Sequence, residues 1–181
     1  MQMGRKSSFD LDVVSVRLVR DAPIASSSPI CSPEDAIHLV GQTLCDMDRE
    51  MVCVINLKSD GTPINCNFAS MGALDYAMVH PREIMKASIL SNAAQIILVH
   101  NHPSGTLLPS KSDVQMTAKM QKVMELMDIP LLDHIIVGGD NRKYFSFKDK
   151  GLVEKPKMYF PTDYHHLDWD KSAIADRGVK R

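Results

Sequence analysis

Apolar residues along this chain follow two rhythms, alternation and helical spacing, separated by turn-forming clusters. Leu11, Val13, Val14, Val16, Leu18 and Val19, broken by Asp12, Ser15 and Arg17, predict a first strand. Residues 21–32 are rich in Pro and Ser and read as a surface loop. Ser32 then caps a helix that opens on Pro33, with Asp35 three residues after the cap. Ala36, Ile37, Val40 and Leu44 give that helix one apolar face. Met51 to Leu57 is apolar enough to be a central strand. Asp60 and Gly61 turn it into a partner in which Ile64, Cys66 and Phe68 alternate with Asn65, Asn67 and Ala69.

Past Gly72, Pro81 opens a second helix carrying Ile84, Met85, Ala87, Ile89 and Leu90. Ile96 to Val99 suit a strand buried on both faces. Lys111 to about Met127 form a third helix, whose stripe of Met116, Met120, Val123, Met124 and Met127 reads as core. Pro130 ends it, Leu131 to Val137 make another strand, residues 138–141 turn, and Tyr144 to Phe147 return as a hairpin partner. Strands interleaved with helices predict an α/β sandwich of a mixed sheet and about three helices. We divide the chain into a flexible N-terminus over 1–8, a folded domain over 9–151 and a loosely packed tail over 152–181, docked through Tyr159, Phe160 and Trp169.

The candidate chemistry lies between Ile96 and Asp113. His100 and His102 sit two apart where the apolar run ends, so on a strand both imidazoles face one spot. Pro103 and Gly105 turn the chain, Ser110 caps the next helix, and Asp113 falls in its first turn. Two imidazoles and one carboxylate suit a zinc ion that keeps a position open for water. Each residue also has a plainer explanation. Histidines at a strand end often just meet solvent, and Ser110-x-x-Asp113 is a capping box. The compactness of the joint pattern favours the metal.

His100-x-His102-Pro103 followed by Ser110-x-x-Asp113 resembles the metal-binding signature of the JAB/JAMM (MPN-plus) metallopeptidases. The fuller run from His100 to Gly105, with Pro109 to Asp113, is similar to the RadC branch of that family. The resemblance continues through Ser32 to Asp35, Asp48 to Glu50, Val79 to Glu83 and Leu131 to His134, as far as about Gly151. It implies a JAB/MPN-like three-layer sandwich, cytidine-deaminase-like in arrangement. It also implies zinc held by His100, His102 and Asp113, with Glu50 as the base that shuttles a proton from the zinc's water to the departing amine. Ser110, by the same resemblance, steadies the oxyanion. Glu83, in the first turn after Pro81, is the second candidate for the base. Asn101 is expected to face away from its neighbours. Asp133 and His134 are either a structural pair or support for a ligand imidazole. The helix-hairpin-helix segment that full-length RadC-type proteins carry ahead of this domain is not expected here.

Composition narrows the partners. The formal net charge is −1, which does not support broad electrostatic capture of nucleic acid, although the family association leaves a DNA-repair or mobile-element link open. No window has the apolar length of a membrane span, and no signal-peptide core opens the chain, so the expected location is cytoplasmic. Cys31, Cys45, Cys53 and Cys66 lack a Cys-x-x-Cys pairing and read as reduced, mostly buried thiols. The leading expectation is a zinc-dependent hydrolase acting on an amide carbonyl of a protein or peptide. Two alternatives stand beside it. One is a non-catalytic JAB-type interaction module. The other is a nuclease suggested by the letters His-Asn-His and by Asp133-His134-Ile135.

Overall fold

The computed structural model describes residues 15, 17–26, 28–71, 80–139 and 141–154. In chain order the elements are α1 (Pro33–Cys45), β1 (Met51–Leu57), β2 (Pro63–Met71), α2 (Pro81–Leu90), β3 (Gln95–His102), α3 (Lys111–Leu126), β4 (Leu131–Gly138) and β5 (Tyr144–Ser146). The strands form one mixed sheet in the order β2-β1-β3-β4-β5. β1 runs antiparallel to both β2 and β3, and β4 and β5 close an antiparallel hairpin. β3 and β4 are parallel, with α3 as the crossover that parallel pairing requires.

α1 and α3 start on Ser-x-x-Asp capping boxes that satisfy free amide groups of the first turn, whereas α2 starts on Pro81 with no side-chain cap. At α1, Ser32 Oγ accepts from Asp35 N at 3.3 Å while Asp35 Oδ2 accepts from Ser32 N at 2.9 Å. Pro33 loses nothing in the first turn, where no amide partner exists anyway. Its buried face is Ala36, Ile37, Val40, Gly41 and Leu44, as the spacing predicts. Gly41 is small for a reason: a Cβ there would lie 2.0 Å from Asn141 Oδ1 in the β4–β5 turn.

Alternation sends the two sets of strand residues into two cores. Cys53, Ile55, Leu57, Ile97, Val99, Ile135 and Val137 meet α1 on one side. On the other, Val52, Val54, Ile96, Leu98 and Leu131 meet Ile84 and Met85 of α2 and Met120 and Met124 of α3. The result is a three-layer α/β/α sandwich, the JAB/MPN-like arrangement expected, with β3 buried at its centre. Across β1 and β2 a chain of side-chain bonds, Asn56 to Asn65 (2.7 Å) to Ser91 (2.8 Å), ties the outer hairpin to the end of α2.

Several expectations need adjusting. The strand expected over 11–19 falls largely outside the described residues; Leu18 and Val19, which are described, belong to no strand and are exposed. β3 does not stop at Val99 but continues through both histidines, because His100 and His102 keep their ladder partners Ile136 and Gly138. Of the methionine stripe, Met120 and Met124 are fully buried, whereas Met127 is the cap residue of α3 and is 44% exposed. None of the four cysteines is in a disulfide, and they are not mostly buried: Cys53 is buried, Cys45 and Cys66 are half-buried, and Cys31 is exposed. The tail residues Tyr159, Phe160 and Trp169 lie outside the described residues. Among the described residues no helix is long and apolar enough to cross a membrane.

The stripe gives a paired prediction. Met124→Ala should destabilise the domain by about 2–5 kcal/mol, because it empties a closed site between α3 and the sheet. Met127→Ala should change stability by no more than about 0.5 kcal/mol. Urea denaturation of the two variants checks both.

Candidate metal centre

The site forms where β3 ends against the first turn of α3. His100 pairs with Val52 of β1 and Ile136 of β4, so it lies in mid-sheet and is only 2% exposed. His102 follows on the same face, and the chain then turns sharply, with Gly105 N donating to His102 O at 2.8 Å. Gly105 has φ +75°, a conformation that L side chains resist. The turn folds down onto the end of β4, where a Cβ on Gly138 would lie 2.9 Å from Gly105 O. This close approach brings Thr106 O to 2.7 Å from His102 Nδ1. A capping box begins α3: Ser110 Oγ accepts from Asp113 N at 3.2 Å, and Asp113 Oδ2 accepts from Ser110 N at 2.7 Å. Asp113 is thereby aimed back at the two histidines.

Among the described residues, His100, His102 and Asp113 bring their ligand atoms together. Nε2 of His100 and Nε2 of His102 are 2.9 Å apart. Asp113 Oδ1 is 3.4 Å from the first and Oδ2 is 3.5 Å from the second. Tetrahedral zinc with arms of 2.0–2.1 Å separates its ligands by roughly 3.3 Å, and these separations, the two to Asp113 measured to different oxygens, are near that. The donors fit as well. Thr106 O can only accept, so neutral His102 keeps its proton on Nδ1 and turns a bare Nε2 inward. Asp113 Oδ2 is occupied by Ser110, which leaves Oδ1 free. Two imidazoles and one carboxylate are the donor set of a catalytic zinc site.

The electrostatics follow from burial and proximity. Burial pushes the His100 imidazole down to about 4, against a smaller upward pull from Asp113. His102 moves up, because Asp113 hydrogen-bonds to it and this outweighs its partial burial. Burial alone would raise the Asp113 carboxyl, but His102, His100 and Ser110 more than offset it and hold it well below the usual carboxylate range.

Glu50 is the carboxylate that reaches this cluster. Its Oε1 lies 4.0 Å from His102 Nε2, and its side chain is 35% exposed, open to solvent on one side. Its position is fixed by Asn101. As expected, that side chain leaves the face of its neighbours; there Oδ1 accepts from Met51 N at 2.8 Å and Nδ2 donates to Arg49 O at 3.0 Å. Those two groups belong to the peptide units on either side of Glu50. Glu83 is engaged elsewhere, 2.5 Å from Lys86 and 3.5 Å from Arg82 at the start of α2. Ser110 Oγ lies 2.7 Å from Asp113 Oδ2 and 2.7 Å from Ser112 Oγ, at the rim of the site.

Asp133 and His134 do not form a side-chain pair. Neighbours on a strand point to opposite faces, so His134 enters the metal side and Asp133 the α1 side. His134 Nε2 is 2.7 Å from His100 Nδ1, whereas Asp133 accepts from Ser146 Oγ, Lys148 N and its neighbour's amide. His134 therefore contacts the His100 imidazole, from a strand that pairs parallel to β3 on one side and antiparallel to β5 on the other. Sequence reading missed Thr117, which sits 2.6 Å from His134 Nδ1. Its one signal was position, one helical turn beyond Asp113.

Two expectations follow. Asn101→Ala strands the buried Met51 amide and should cost about 1–3 kcal/mol in urea denaturation, with faster hydrogen exchange at Met51. Gly138→Ala puts a Cβ against the backbone of Gly105 and draws Thr106 O away from His102. Zinc affinity, read by competition with a chromophoric chelator, should fall about 10- to 100-fold.

Comparison with known proteins bears on the family of this chain. The family model described as a RadC-like JAB domain matches residues 30–152. A UPF0758 protein of Desulfitobacterium hafniense is 38% identical over 153 residues, covering 84% of this chain and 61% of the relative. UPF0758 proteins of Desulforamulus reducens and Clostridium kluyveri are each 43% identical, over 67% and 68% of this chain and 52% and 54% of their own lengths. The chain thus spans between half and two thirds of the relatives it matches. The matched span holds every strand and helix described above together with Glu50, His100, His102, Ser110 and Asp113, and on that footing the chain belongs to the family of RadC-like JAB domain proteins.

Proposed function

We propose that this domain is a zinc-dependent hydrolase that cleaves an amide or isopeptide bond of a protein or peptide. The observation that carries the reading is the convergence of His100, His102 and Asp113, with the Glu50 carboxylate 4.0 Å from one of them. His100 Nε2, His102 Nε2 and Asp113 Oδ1 would hold the ion. Zinc so bound polarises a carbonyl and brings the pKa of a water down to roughly 7.

The remaining work falls to the chain's own side chains. Glu50, part-exposed and held at both flanking peptides by Asn101, takes a proton from the attacking water and hands it to the departing amine nitrogen. Ser110 lies beside Asp113 at the open rim, and turning its proton from Asp113 Oδ2 to the substrate oxygen supplies an oxyanion donor. Such a donor is worth about 100- to 1,000-fold in turnover. Amide substrates suit this assembly because the amine is a poor leaving group that needs a proton delivered.

Protein purified without a nickel column should contain about one zinc per chain by elemental analysis, the stoichiometry of a single three-ligand site. His102→Ala should lose most of it. Glu50→Gln should keep the zinc, fold as the parent does and hold substrate without releasing product in a trapping screen. Equal metal in His102→Ala removes the ligand assignment, and full turnover by Glu50→Gln removes the base.

A further inference from the structure

His100 can bind a cation through Nε2 only if its single proton sits on Nδ1. That nitrogen faces Nε2 of His134 at 2.7 Å, and the pair alone does not say which ring carries the proton. The answer comes from further along. His134 Nδ1 is 2.6 Å from Thr117 Oγ1, and that hydroxyl is 2.6 Å from the backbone carbonyl of Asp113. A carbonyl oxygen can only accept, and two oxygens so close repel unless a proton lies between them. The Thr117 proton therefore points at Asp113 O. Oγ1 must then accept from His134 Nδ1–H, and the neutral His134 ring has a bare Nε2. That bare nitrogen accepts from His100 Nδ1–H, leaving His100 Nε2 unprotonated and facing Asp113 Oδ1 and His102.

A doubly protonated His134 would break this logic, but the ring is completely buried and a charge there would be costly. The groups that face it are His100, Thr117 and the ring of Phe147, which stacks on it at 4.7 Å and 14°. None of these is an anion; Asp113 faces the other side of His100, and the Asp133 carboxylate, which accepts from the His134 amide, is turned to the α1 side of the sheet.

We propose that Thr117 and His134 form a one-way hydrogen-bond chain, anchored on the Asp113 carbonyl, that fixes the His100 tautomer for metal binding. Both are positioning residues acting through His100, and the proposal rests on the zinc reading above. It makes the two ligand histidines alike in kind. The Nδ1–H of His102 ends on a carbonyl directly, and that of His100 ends on one through two side chains. It also gives Asp113 two tasks, since its carboxylate faces the centre while its backbone sets the neighbouring ligand.

Thr117→Val keeps the shape of the side chain and removes the hydroxyl, and Thr117→Ser restores it. In competition with a chromophoric chelator, Thr117→Val should bind zinc about 10- to 100-fold more weakly than the parent, and Thr117→Ser should recover the parent affinity. Imidazole nitrogen–proton correlation spectra of the metal-free protein at mildly alkaline pH give a second readout. His100 should carry its proton on Nδ1 in the parent and exchange between tautomers in Thr117→Val. Parent affinity and an unchanged His100 spectrum in Thr117→Val would overturn the role of Thr117. A parent His100 protonated on Nε2 would overturn the chain itself, whatever zinc does. Protein that takes up no zinc yet shows His100 protonated on Nδ1 would instead overturn the hydrolase reading and leave the chain standing.

Discussion

The Nε2 atoms of His100 and His102 lie 2.9 Å apart, with Asp113 carboxylate oxygens 3.4 and 3.5 Å from them, a cluster of polar atoms that is costly to bury unless its groups are matched. Much of the surrounding structure serves to make that meeting happen. β3 runs three residues past its apolar core, and alternation places both rings on one face. The turn at Gly105 settles on Gly138, which brings a carbonyl to His102. The capping box that starts α3 orients Asp113 and blocks one of its oxygens, leaving the other for the centre. The groups that begin this helix thus also aim Asp113 at the two histidines.

The polar residues buried around the centre are expensive unless every donor and acceptor is matched. They are matched in order: Asp113 carbonyl, Thr117, His134 and His100 form one line, while Asn101 answers two backbone groups on the other face of the same strand. β3 therefore carries two systems at once. Its even positions hold the metal side, and Asn101 between them ties down the peptide units around Glu50. The Glu50 carboxylate at the mouth of β1 is thus registered to the histidines of β3 through backbone, without a side-chain hydrogen bond between them.

The outer parts of the molecule carry less of this burden. Glu83 is spent on Lys86 and Arg82 at the surface of α2. Asp133, one residue from His134, is turned to the α1 side and secures the β4–β5 hairpin through Ser146 and Lys148. Adjacent residues of one strand thus do unrelated work on opposite sides of the sheet.

The amino-acid sequence by itself determined the helices, the central strands and the three candidate ligands that the structure brings together. Apolar spacing, prolines at helix starts and Ser-x-x-Asp caps are local signals, and His100, His102 and Asp113 lie within one strand-turn-helix unit. Only the tertiary structure decided the rest. That Glu50 and not Glu83 reaches the centre depends on β1 lying beside β3, and that His134 and not Asp133 faces His100 depends on the register of two parallel strands. Thr117 joins them because α3 packs over β4. Such pairings join residues far apart in the chain, and a one-residue slip reverses every side chain of a strand. Local pattern holds no record of that choice, which is made when the two cores on either side of the sheet are filled.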